Sequence, residues 1–180
     1  DQITLMADAN QGLDLKRALQ LGRELARFDL AWFEEPVPTW DDDSAAEIVR
    51  RLPMPIASGE TEYTRYGLRR MARERAASVF MPDLQRMGGY TEMLKAVRYL
   101  AAHDLPVAPH IFTEHSLHIV ASAGNATWGE HMPWFEPLFH ERMEIGADGC
   151  IAVPDRPGAG FTFDWNRIDA YLISPRTAGG

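Results

Sequence analysis

The sequence has 180 residues, of which 46% are hydrophobic and 24% charged, so it can bury a core and lacks the composition bias of disordered or collagen-like chains. A formal net charge of -8 weighs against a general phosphate-backbone binder, which needs clustered Lys and Arg, and no nucleic-acid partner is expected. One cysteine excludes an intrachain disulfide, no apolar run approaches the roughly 20 residues that span a bilayer, and without a signal peptide in the given sequence a cytoplasmic setting is the default expectation.

Along the chain, a short apolar run repeatedly ends in an acidic residue or histidine and is followed by helical periodicity, the pattern of βα units. The first run, Ile3 to Ala7, ends at Asp8, and Leu21, Leu25 and Phe28 are predicted to share the next helix face. Ala31 to Phe33 ends at Glu34 and Glu35, with Pro36 and Pro38 stopping the strand before a helix near Ala45 to Leu52. Pro55 and Ile56 lead to Gly59 and Glu60, then a helix around Leu68 to Arg73. Ser78 to Pro82 ends at Asp83, and after Gly88 and Gly89 comes a helix with an apolar face of Leu94, Val97, Leu100 and Ala101. Pro106 to Pro109 ends at His110, followed by a helix over Leu117 to Ala121, and Ala126 to Gly129 ends at Glu130.

These spacings fit one strand, loop and helix of a (β/α) barrel. The expected fold class is α/β: an incomplete TIM-type barrel of about six βα units over 1–133, with a C-terminal extension of turns and short strands over 134–180 packing on the barrel or on a cap. A doubly wound open sheet also alternates strands and helices, but it would spread six strand-end polar residues along a line too long for one small ligand. A barrel converges them on one mouth.

Three of those residues, Asp8, Glu34 and Glu60, are carboxylates from successive strand ends. Hard Mg²⁺ prefers oxygen ligands and keeps positions open for water or substrate, so a site where the three converge on one cation is expected. With one cysteine and no paired histidines at ligand spacing, zinc competes poorly. Asp83 and His110 end neighbouring strands, where a carboxylate on one ring nitrogen fixes the tautomer and leaves the other free to move a proton. Glu130 closes the set, expected to hydrogen-bond a substrate carboxylate as negative charge grows on it.

Asp8-Ala9-Asn10, Trp32-Phe33-Glu34-Glu35-Pro36, Ser58-Gly59-Glu60, Pro82-Asp83 before Gly88-Gly89, Pro109-His110 and Glu130 together resemble, in order and spacing, the mandelate racemase subgroup of the enolase superfamily. The resemblance implies that Asp8, Glu34 and Glu60 hold Mg²⁺, that Asp83 and His110 form a His-Asp dyad, that Asn10 lies beside the substrate and that Glu130 bonds to the enolate. Pro154 to Gly158 and Phe161 resemble the segment that follows the barrel in these enzymes. Family members also carry an N-terminal capping domain and a Lys-x-Lys strand. The lysines here, Lys16 and Lys95, both fall in predicted helices, so the sequence is expected to represent part of a longer protein that forms a homo-oligomer.

The activity implied is a sugar-acid dehydratase working on an aldonate or aldarate, in which α-proton abstraction gives a metal-stabilised enediolate that loses the β-hydroxyl and becomes a 2-keto acid. Racemisation or epimerisation of a 2-hydroxy acid shares that intermediate and is the alternative. A barrel retained for non-catalytic binding is the third reading. Among the remaining features, His115 and His118 are read as surface or packing residues, Asp41 to Asp43 as a helix start, Gly158-Ala159-Gly160 as a turn, and Glu35 and Glu62 as supporting groups that are not ligands.

Overall fold

The structure, a computed structural model, describes residues 3–173. Residues 1–2 of the expected barrel segment and 174–180 of the expected extension lie outside the described residues. Strands β1 (Met6–Asp8), β2 (Trp32–Glu34), β3 (Ile56–Ser58) and β4 (Val79–Phe80) form a parallel sheet in the order β1-β2-β3-β4. Each is followed by a helix: α1 (Leu15–Leu25), α2 (Asp42–Arg51), α3 (Thr64–Glu74) and α4 (Tyr90–Ala101). Parallel bridges Phe80↔Val107, Asp83↔His110 and Val107↔Ala126 continue the arc through two further extended segments, separated by α5 (Thr113–Ser122).

The fifth and sixth extended segments are shorter than expected, reduced to isolated bridges. In the fifth, Pro106 and Pro109 have no N–H to give a ladder. The sixth finds a backbone partner only on its Val107 side among the described residues. At the other end of the arc, among the described residues, β1 pairs with β2 alone and no bridge joins β1 to 126–130. Ile3, Leu5 and Met6 stay exposed along that edge.

Side-chain alternation on the strands buries both faces of the sheet. Phe33, Ile56 and Phe80 face the helices, where Ala18, Ile48, Leu52, Leu68, Met71 and Leu100 pack against them. On the concave side lie Trp32, Ala57, Val79, Met81 and Ala108. Asp14 and Asp41 begin α1 and α2 by accepting the Arg17 and Ser44 backbone N–H groups, the usual use of a short acidic residue at a helix start.

The expected apolar face of α1 is corrected by the structure. Its buried residues are Ala18, Leu19 and Gly22, and Leu25 packs at the margin of the same cluster as expected, whereas Leu21 and Phe28 are exposed. Gly22 allows α1 to approach α2 closely, since a Cβ there would sit 2.2 Å from Leu52 Cδ1. Phe28 belongs to a separate 3-10 turn, Ala26–Phe28, that carries it off the helix face. Gly22→Leu is expected to cost about 1–3 kcal/mol through overpacking, and Leu21→Ala less than about 0.5 kcal/mol. Denaturant titration of the two variants checks this, and a larger loss for Leu21→Ala would restore the sequence-based face.

After α5 the chain makes a 3-10 turn, Glu136–Leu138, and antiparallel bridges Phe139↔Phe163 and Ile145↔Ile151, ending in α6 (Trp165–Asp169). This segment rests on α5, with the His118 ring bonded to the Ala159 carbonyl and the His115 ring beside Phe139. Neither histidine is part of a metal group among the described residues.

Candidate active site

Because the strands are parallel, their C-terminal ends lie on one side of the sheet, and the polar residues expected there arrive on the same side. Asp8 and Glu34 close β1 and β2 as register partners. Glu60 stands further out, because Glu34 is in register with Ala57 and the chain then turns at Gly59, whose φ of 123° suits glycine.

That offset has a consequence for the expected three-carboxylate site. Among the described residues no three His, Cys, Asp or Glu side chains are already gathered around one point. Glu60 is engaged elsewhere: Oε2 lies 3.2 Å from His110 Nε2 and Oε1 3.3 Å from the Arg86 guanidinium. Asp8 Oδ1 accepts the Asn10 backbone N–H at 2.7 Å, and Glu34 Oε2 accepts the Trp32 indole N–H at 3.0 Å. Convergence on one ion therefore requires Glu60 to leave His110.

The electrostatics nonetheless suit a divalent cation. Burial raises the Glu34 carboxyl to about 7 despite the Trp32 hydrogen bond, and the Asp8, Glu130 and Glu60 carboxylates push in the same direction. A divalent cation relieves such crowding of negative charge, and carboxylates are the oxygen ligands that Mg²⁺ prefers, with Asp8 and Glu34 side by side as register partners and Glu60 turned towards His110. Since a carboxylate must be deprotonated to ligate, divalent-cation affinity is expected to fall as pH drops through about 7. Calorimetric titrations on either side of that pH test it, and equal affinities would exclude Glu34 from the ligand set.

The Asp83 and His110 side chains meet. Asp83 Oδ2 is 2.9 Å from His110 Nδ1, and Asp83 Oδ1 accepts the Gln85 and Arg86 backbone N–H groups at 2.8 and 2.9 Å. Burial alone would raise Asp83, but these hydrogen bonds and the imidazole hold it below the usual carboxylate range. Burial alone would lower His110, yet the Asp83 hydrogen bond and the Glu60, Glu130 and Asp83 charges raise it. With Asp83 on Nδ1, His110 turns Nε2 towards Glu60 Oε2, 3.2 Å away beyond the end of β3, and leaves that nitrogen as the one able to exchange a proton.

Arg86 closes a ring that the sequence did not reveal. Its guanidinium donates to the Glu60 carbonyl at 3.0 Å and lies beside the Glu60 carboxylate, Glu60 meets His110, His110 meets Asp83, and Asp83 accepts the Arg86 backbone N–H. Gln11 is a second residue sequence reasoning missed, donating to Glu35 Oε2 at 2.8 Å. Glu35, at a φ of 36°, is buried under the strand ends and faces Ser58 as well.

Asn10 is exposed beside Asp8, at a φ of 43°. Glu130 Oε2 accepts the Ile111 backbone N–H at 2.9 Å, and its carbonyl accepts the Thr113 hydroxyl, so it braces the turn after His110. Glu130 also lines a cavity of about 210 Å³ on the concave side of the sheet, with Met6, Trp32, Glu34 and Trp128.

Residues 1–167 match the family described as enolase C-terminal domain-like. The L-talarate/galactarate dehydratase of Salmonella typhimurium is 36% identical over 162 residues, 90% of this chain and 40% of that protein. The crystal structure of L-talarate dehydratase from Polaromonas sp. JS666, complexed with Mg and L-glucarate, superposes with a TM-score of 0.88 at 38% identity, over 93% of this chain and 46% of that one. An enolase from Bradyrhizobium, complexed with magnesium and mandelic acid, gives a TM-score of 0.91 at 29% identity, over 97% and 48%. The chain thus spans about half the length, or less, of each of these relatives.

Proposed function

The chain belongs to the enolase C-terminal domain-like family, and from that premise we propose that it carries the metal and histidine side of the active site of a Mg²⁺-dependent sugar-acid dehydratase. The substrate class is an aldonate or aldarate. Asp8, Glu34 and Glu60 hold the ion, which when bound offsets the negative charge that develops on the substrate carboxylate as its α-proton leaves. His110 Nε2 moves protons at one face of the substrate, while Asp83 keeps Nδ1 protonated and the ring fixed. His110, neutral at Nε2, takes the α-proton and, as the β-carbon–oxygen bond breaks, gives that proton to the departing hydroxyl, so that water leaves and the resulting enol tautomerises to a 2-keto acid. Glu130 hydrogen-bonds the substrate carboxylate, and Asn10 lies against the substrate from the β1 end.

The observation that carries this reading is the Asp83–His110 hydrogen bond of 2.9 Å at the same side of the sheet as the three carboxylates. Dehydratase names among the relatives support the ranking of water loss over racemisation. Racemisation is kept as a second reading, because the Bradyrhizobium relative is complexed with mandelic acid, which has no β-hydroxyl to lose. Incubating the full-length protein with Mg²⁺ and a panel of aldonic and aldaric acids separates the two. A 2-keto acid, trapped as its semicarbazone, is the expected product; inversion at the α-carbon without keto acid would replace the dehydratase reading with the racemase one.

A further inference from the structure

We propose that Trp32 is a positioning residue for the metal site: its indole N–H holds one oxygen of the Glu34 carboxylate and thereby fixes which oxygen is presented to the ion. The inference rests on the reading of Asp8, Glu34 and Glu60 as ligands.

Trp32 and Glu34 are two residues apart on β2, so both point to the concave side of the sheet. There the indole Nε1 donates to Glu34 Oε2 at 3.0 Å. An indole has one N–H donor and no acceptor, and a buried indole needs a partner for it. Trp32 is 6% exposed, packed with Ala57, Val79, Met81 and Ala108. Trp128 meets its ring edge-on, with centroids 6.1 Å apart and planes at 81°, so contacts on that side and in the buried cluster hold the indole while its remaining side borders the cavity. The carboxylate it holds is equally restricted. With one lone pair of Oε2 held by the indole, Oε1 is the oxygen without that bond and the better exposed to an ion, so the orientation of the Glu34 carboxylate is set before the ion arrives. Groups that orient a ligand in this way tune metal affinity.

A packing role predicts a different outcome from a positioning role, because phenylalanine keeps most of the apolar ring and removes only the N–H. In the full-length protein, Trp32→Phe is expected to melt within a few degrees of the unmutated protein yet to bind Mg²⁺ about 10–100-fold more weakly in calorimetric titration. Mg²⁺ is also expected to change indole emission in the unmutated protein and to leave it unchanged in Trp32→Phe. Unchanged affinity in Trp32→Phe, with the unmutated protein binding Mg²⁺, overturns the positioning role and leaves the ligand assignment standing. Failure of the unmutated protein to bind Mg²⁺, or full binding by Glu34→Gln, overturns the ligand assignment and the inference with it. If Trp32→Phe does not fold, the five indoles decide on the unmutated protein: an indole ¹H–¹⁵N cross-peak is expected to shift with Mg²⁺ there and not in Glu34→Gln, and no shift overturns the proposal.

Discussion

Replacing His110 with asparagine in the full-length protein is expected to reduce turnover by about 10²–10⁴-fold while Mg²⁺ binding persists, because that range is what one positioned acid–base group contributes. Asparagine keeps a polar side chain of similar reach and can still bond to Asp83, so the buried carboxylate, 1% exposed, retains a partner. It cannot shuttle a proton near neutral pH. The effect should fall on kcat, since the lost interaction acts only as the proton moves. Calorimetry with Mg²⁺ on the same variant separates a chemical defect from a metal defect, and undiminished turnover would remove the dyad from the mechanism.

The Glu34→Gln variant should show the opposite pattern, losing Mg²⁺ affinity first and activity as a result. Glu34 is the carboxyl that burial and its acidic neighbours raise to about 7, so it carries much of the charge stress that a cation relieves. Gln keeps the volume and can still bond to the Trp32 indole, yet offers the ion no anionic oxygen. Removing an outer partner of a ligand typically weakens metal binding by roughly 10–100-fold, and removing the ligand itself should exceed that. The variant should also be more thermally stable than the unmutated protein when no metal is present, because a neutral amide is cheaper to bury near Asp8, Glu60 and Glu130. Melting curves with and without Mg²⁺ check both statements. A variant that binds Mg²⁺ normally would exclude Glu34 as a ligand.

The arc of parallel strands and helices, five βα units and a sixth extended segment among the described residues, was legible because each strand end carries a polar residue after a short apolar run, and parallel topology places such ends together whatever the loops do. Asp8, Glu34, Asp83 and His110 could be read for that reason. Glu60 was read as a strand-end residue, whereas it lies in the turn after β3, and its partners were not read: the Gly59 turn and the offset from Glu34 to Ala57 put it against His110 and Arg86. Arg86 and Gln11 act through side-chain reach across separate loops, which linear spacing does not encode. The α1 face was misread because apolar residues were weighed by hydrophobicity, whereas closeness of approach, set by Ala18 and Gly22, decides which side faces α2. The prolines that mark the fifth unit also remove its ladder donors, so the same residues announced the segment and shortened it.

The most direct test of a Mg²⁺-dependent proton-abstraction site is solvent exchange at the substrate α-carbon. The full-length protein, incubated in D₂O with an aldarate and Mg²⁺, should show loss of the α-proton signal or deuterated 2-keto product by ¹H NMR. Neither should appear with excess chelator or in the His110→Asn variant. Exchange or product formation that continues unchanged without Mg²⁺, or in the absence of the His110 imidazole, would contradict the account.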